Sequence, residues 1–577
     1  TYYFEPSPPL GSESPIVPKE NYSVLNVKLA EYHAKALDEI GALYFTKEVF
    51  DNFSPIYGST YPDFQGGLGI TFEVGSSRGL VQESRDGLKT FAETILRHVT
   101  TGIATVYGSV EEKELLLEFQ RDFFQSALTD ADANANKAFI FGNTADENLT
   151  QQLLELMLRH RMEVYEVPED VTVDGKTFEQ GKAYVVPARQ PQYRMVHSFF
   201  QEMTDFVDST YYDVTGYTLA HGYGVPFAAI QSRNFAMGDR VEATKAISGG
   251  VENGRSDYAY VFSWQDFHAS QLLYKLQMAG IMTRVAFKPF SIKMGDEQQD
   301  FGYGAIVVPV RYQQISTDSL YRFVNAAAQE ARIKVFGAET GLSASGIDLG
   351  SNNIRTIEKP EVAMVIDDLG RRSLERYKTL ILPDGSYNSL SKSTIARLKS
   401  WTQQGGTLIT IRRATEWAIR QELAPEKLRI ELQTDTTRSR RSDFADASEI
   451  EGAKVVANSI YRGDLDISNP LGFGITDRDI YLLRDSRILL KPSKNPYATV
   501  IQYDENPLVS GFVSAANLEK IKNTASLVVN DVGRGRVVLF ADNPYFRGYW
   551  YGTSRLLLNA IFFGEVLNVP SARPGSE

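Results

Sequence analysis

IYGSTYPDFQGGLGITFEVGSSRG, residues 56–79, is the stretch on which the reading of the whole chain turns. It has three parts. Tyr57 sits in a loop rich in turn-forming residues, with Gly58, Ser59, Pro62 and Asp63. Gly66, Gly67 and Gly69 lead into an apolar run, 68–72, expected as a short strand ending in Glu73. A small-residue turn, 75–79, follows and carries Arg78. A strand that delivers one carboxylate at its end sets an acid or base on a rigid support. The tyrosine loop before it can fold back over such a site. The plainer reading of the same residues is a strand cap and an ordinary turn.

The run resembles the end of the catalytic domain in carboxypeptidase A-like zinc metallopeptidases, the large bacterial members in particular. Those carry a mobile loop Tyr and then a strand ending T-F-E, here Thr71, Phe72 and Glu73. The resemblance implies that Glu73 is the general base acting on zinc-bound water and that Tyr57 closes over the substrate. Tyr61 is a second candidate for the loop position. Arg78 is a candidate for the pocket rim or for a structural ion pair. The opening TYYFEPSPPL is similar to the segment these relatives carry just after their third zinc ligand. By the same resemblance the H-x-x-E, the later His and the substrate-carboxylate Arg lie outside this chain.

The expectation is therefore the C-terminal part of a zinc-dependent metallocarboxypeptidase, a hydrolase that removes C-terminal residues from peptides. Zinc belongs to the parent enzyme; no metal ligand and no bound cofactor is expected in this chain, which alone should be inactive. Peptides and peptidoglycan stem peptides are both open as substrates. Family habit implies a periplasmic or secreted protein. The alternative is a non-catalytic peptide- or glycan-binding protein derived from a peptidase.

Composition fits a soluble globular chain. The 577 residues are 43% hydrophobic and 23% charged. A formal net charge of −12 argues against a nucleic-acid partner, which would need basic patches. There is no Cys, which excludes disulfides, thiolate metal sites and a Cys nucleophile. No apolar run approaches the roughly 18 residues of a membrane span.

Beyond the opening stretch the chain reads as α/β. Residues 1–105 are assigned to the C-terminal part of an α/β/α peptidase domain and 106–136 to a helical linker ending in a polar run, 129–136. Within the first part, helices are expected over 26–41 and 88–99, the second burying Phe91, Ile95 and Val99. Residues 137–358 alternate strand and helix, which predicts a doubly wound, mostly parallel sheet. Residues 359–577 form a second such domain. It resembles class I glutamine amidotransferase-like domains, which such carboxypeptidases often carry at the C-terminus. Active members hold a Cys on a tight elbow after the strand 407–411. Here that position reads Arg412-Arg413, so glutaminase activity is ruled out. Only residues 367–377 separate two strands expected to be parallel neighbours, a short crossover, as if residues were missing near 367–370.

Several polar clusters have structural explanations. His160-Arg-Met-Glu163 is formally H-x-x-E, but it ends a helix and follows Glu73; a helix C-terminus suits a positive side chain. His33 is expected at or near the surface. Asp257, Asp266 and His268 precede a helix that Ser263 could cap. The basic run 438–441 is expected as a solvated loop. The aromatic-rich 541–552 could bind sugar or peptide, or pack on the preceding domain.

Overall fold

The computed structural model describes all residues except 9–12, 49, 76, 86, 207–213, 295–296, 366–368, 370–372, 430–442, 448–455, 457 and 572–577. The basic run 438–441 and most of 367–370 lie outside the described residues.

The first part is built on β1 (Tyr2–Tyr3), α1 (Asn26–Glu39), β2 (Tyr44–Phe45) and β3 (Glu73–Val74). The three strands form one small sheet with β1 in the centre, parallel to β2 and antiparallel to β3. Side chains alternate across it. Tyr2, Phe4, Phe72 and Val74 pack under α1 with Leu37. Tyr3 lies opposite Glu73 in the ladder. The expected strand 68–72 does not form; only Glu73 and Val74 join the ladder.

A hairpin, β4 (Val81–Ser84) and β5 (Gly87–Thr90), then leads into α2 (Phe91–Glu111) and α3 (Lys113–Ala133). Thr90 caps α2, its hydroxyl accepting from Glu93 N at 3.1 Å, which is why the helix begins at 91 and not at 88. One face of α2 meets the sheet and α1 through Thr101, Ala104 and Gly108. The residues expected to be buried, Phe91, Ile95 and Val99, are instead about half exposed, because no described layer covers that face. The polar run 129–136 is not a linker throughout: α3 continues to Ala133.

The middle part holds two larger sheets and a small antiparallel one of β15 (Phe290–Met294), β16 (Glu297–Phe301) and β19 (Ser345–Gly346). In the first, β6 (Ala138–Gly142) and β10 (Ala183–Pro187) are central and fully apolar, flanked by β7 (Tyr165–Glu166) and β11 (Phe227–Ile230). A short hairpin, β8 (Val171–Val173) and β9 (Lys176–Phe178), stands beside it. The helices α4 (Glu147–Arg159), α5 (Tyr193–Phe200) and α6 (Leu219–Tyr223) pack on one side. The second has the order β12 (Gly250–Val251), β18 (Lys334–Ala338), β13 (Ala259–Phe262), β17 (Ile306–Pro309), β14 (Thr283–Ala286), β20 (Ile354–Ile357), covered by α7 (Ala269–Met278) and α8 (Thr317–Ala331). The α/β class holds, but the expected mostly parallel sheet does not: every pair in the first sheet is antiparallel, and in the second only β12 and β18 run parallel. A four- or five-residue buried strand looks alike in either direction.

The last part is one eight-stranded sheet. Its first four strands, β21 (Val362–Met364), β22 (Thr379–Leu382), β23 (Thr407–Ile411) and β28 (Gly535–Phe540), are parallel. Then β27 (Ala525–Val532), β26 (Thr499–Ser510), β24 (Ser459–Leu465) and β25 (Asp479–Arg484) continue it antiparallel. Helices α9 (Lys392–Gln403) and α10 (Arg413–Arg420) cover one face, and the C-terminal helix Tyr551–Phe563 the other. Residues 541–552 pack inward in part: Trp550 is fully buried and Phe546 nearly so, while Tyr545 is exposed. Among the described residues no helix is long and apolar enough to cross a membrane.

Candidate functional site

The middle of the quoted stretch is fixed by one buried carboxyl. Asp63 Oδ1 accepts from Gly69 N at 2.7 Å and from Asn21 Nδ2 at 3.3 Å, and the same amide reaches Gly67 O at 2.9 Å. Its second oxygen is buried without a partner. Burial pushes the Asp63 carboxyl up to about 8, since an uncompensated charge there is costly. Gly69 has no alternative: a Cβ would fall 1.5 Å from the Ser59 carbonyl oxygen. The tyrosine loop is thereby pressed onto the run that leads to Glu73.

Glu73 stands exposed at the end of that run, on the sheet face away from α1. The residues beneath this face are polar and buried. Glu5 Oε2 accepts from Tyr3 Oη at 3.1 Å and Ser7 Oγ at 2.6 Å, and Asn52 Nδ2 donates to Ser7 Oγ at 3.0 Å. Burial raises the Glu5 carboxyl, only partly offset by those bonds.

Both loop tyrosines are tied to distant parts of the chain. The Arg547 guanidinium lies 5.0 Å from the Tyr57 ring centre, and Tyr57 packs into a cluster with Phe53, Tyr217 and Trp550. Tyr61 Oη is 2.9 Å from His160 Nδ1. Its backbone N–H donates to Tyr57 O at 2.8 Å, so the two share one turn. Arg78 is exposed, with its backbone at φ 46° in the turn after Glu73.

The remaining histidines and acids sort out structurally. His160 ends α4 and faces Tyr61, and burial lowers its pKa. His33 is buried, not superficial: its Nε2 is 2.8 Å from Thr105 Oγ1, its ring meets Phe4 and Phe72 edge-on, and burial pushes it down to about 4. Asp266, and not Ser263, receives the N–H of His268 before α7, at 2.8 Å. Among the described residues no group of three His, Cys, Asp or Glu could hold a metal ion.

Two further places stand out, the first of which escaped the sequence reading. A cleft lies where the two middle sheets meet the last one, lined by Asn143, Tyr223, Phe227, Gln265, Tyr481 and Tyr551. His221 forms part of its wall, stacked on Tyr481 at 3.7 Å with Nε2 2.7 Å from Glu202 Oε1. At its floor Asp146 caps α4, accepts from Phe267 N at 2.9 Å and faces Arg555 at 3.6 Å. Nothing local signals this cleft, because its walls come from stretches far apart in the sequence. The second is the elbow after β23. Arg412 has φ 53° and ψ −118°, and its guanidinium pairs with Asp384 at 3.1 Å and Asp485 at 3.0 Å. The turn after β23 is thus strained at Arg412 and carries a paired cation.

No family model matches the chain, and no curated protein matches it. Among solved structures it is similar to a cytoplasmic protein from Salmonella typhimurium at 13% identity, over 33% of this chain and 72% of that chain, with a TM-score of 0.21. That likeness is too slight to bear on fold or chemistry.

Proposed function

We propose that this chain is the C-terminal part of a zinc-dependent carboxypeptidase and supplies its general base and substrate-covering loop. The observation that carries the reading is Glu73. It is a lone exposed carboxylate at a strand end, beside the centre of a sheet, with a tyrosine loop clamped to the run that bears it. In this reading the zinc ligands are supplied by polypeptide outside the described residues. A catalytic zinc needs three such ligands.

In this reading the Glu73 carboxylate takes a proton from the attacking water and passes it to the leaving amine. Tyr61, the more exposed of the two tyrosines, meets the substrate, and Tyr57 anchors the loop through Arg547. Arg78 lies at the rim. The substrate is a peptide or a peptidoglycan stem peptide, and the site of action periplasmic or secreted. The last domain has no Cys and serves as a binding or structural module. The test is Glu73→Gln in the protein that includes the zinc ligands. Peptide hydrolysis should fall at least about 100-fold with zinc content unchanged; near-normal turnover refutes the base.

The aromatic-walled cleft around Tyr481 favours a second reading, a peptide- or glycan-binding protein without catalysis. Calorimetric titration of this chain with stem peptide or with chitobiose separates the two. Saturable binding lost in Tyr551→Ala supports the second reading; no heat supports the first.

A further inference from the structure

The least explained surface of the molecule is the outer face of α2. Phe91, Ile95, Val99, Ile103, Val106 and Val110 form a stripe along the helix and are between 47% and 67% exposed. Leu96 and Tyr107 flank it, also more than half exposed. A helix of 21 residues spans about 31 Å. Eight side chains presenting on the order of 100 Å² each give about 800 Å², what one partner contributes to a standard interface. A monomer's largest apolar patch is ordinarily about 300–600 Å².

We propose that this stripe is the seat of a second copy of the chain, the two α2 helices lying antiparallel about a twofold axis between Gly102 and Ile103. Three features select that occupant. The stripe is self-complementary about that axis: Val99 falls opposite Val106 of the other copy, Ile95 opposite Val110, and Gly102 opposite Ile103. An isologous contact requires that property. The spacing 95, 99, 102, 106 alternates four and three, the seam along which helices pair side by side. At the crossing stands Gly102, over which a Cβ would meet open space, so the partner helix can approach closely. A membrane surface is disfavoured, because the chain as a whole is at −12. The inference stands on α2 alone; the polypeptide that the peptidase reading places outside this chain is the rival cover, and a protein that includes it and stays monomeric overturns the proposal.

The experiment uses the 577-residue chain in sedimentation velocity and light scattering. A dimer is expected. Val99→Glu, which sets a charge against Val106, should weaken it at least 100-fold, while Leu342→Glu, at an exposed apolar residue of the middle part, should leave it intact. The chain has no Cys, so Ile103→Cys should give a covalent dimer on mild oxidation, a readout that survives if the Glu variant misfolds. A monomer at all concentrations overturns the proposal. So does a dimer indifferent to Val99→Glu, absence of the Ile103→Cys cross-link, or binding to phosphatidylcholine–phosphatidylglycerol vesicles in place of self-association.

Discussion

The first and last parts of the chain solve the same problem with opposite results. The last has eight strands with helices on both faces, and its central strands β22, β23 and β28 are buried almost end to end. The first has a sheet of three two-residue strands and a separate hairpin, and its helix α2 turns an apolar stripe outward. One is a finished layer structure; the other is held by polar ties where a larger apolar layer would ordinarily serve. Asp63, Asn21, Glu5 and Ser7 are those ties. Function, in the reading proposed, belongs to the unfinished part.

The largest stability effect should come from the finished part. Asp542 is buried and accepts from Arg484 Nη1, Tyr503 Oη and Ser526 Oγ, each at 2.6 Å. Asp542→Ala strands the Arg484 charge and should cost about 3–5 kcal/mol in urea unfolding. A smaller cost would show the last sheet to be less dependent on its interior than its burial implies.

Next in size is the contrast between two apolar truncations. Leu408→Ala, at a fully buried site in β23, should cost about 2–5 kcal/mol. Val106→Ala on α2, measured on dilute protein, should fall within about 0.5 kcal/mol. Equal costs would mean that the α2 stripe is covered after all.

The smallest effect concerns the polar ties and carries a sign. Asp63 is raised from its ordinary value near 3.8 to about 8, so between these values the native state holds a proton that the unfolded state releases. Stability from this group is full at low pH and is lost as pH rises toward 8. Thermal melts should therefore gain several degrees from pH 8 to pH 5, and Asp63→Asn should flatten that gain without a loss at pH 8. A melt that instead rises with pH would break the assignment of these ties.

Much of the scaffold was legible because continuous apolar runs announce buried strands. The runs 138–142, 379–382 and 407–411 appear as β6, β22 and β23 with the expected limits. Strand direction was not legible: β13 and β17 pair antiparallel although their sequences are as apolar as those of the parallel β22 and β23. Nor was the burial of α2, since an apolar stripe states that something must cover it and not whether the same chain does. At the candidate site, Glu73 at a strand end could be read locally. Asp63 could not, because its protonation depends on Asn21 and on packing set by residues far along the chain. Tyr57 was expected to be free to close, and only the fold reveals Arg547 above it.

That contact also sets an order of events during synthesis. Arg547 emerges from the ribosome on the order of a minute after Tyr57. Until then the nascent loop has nothing to lean on, so a chain cut short before residue 547 would carry every residue of the loop and still lack its resting place.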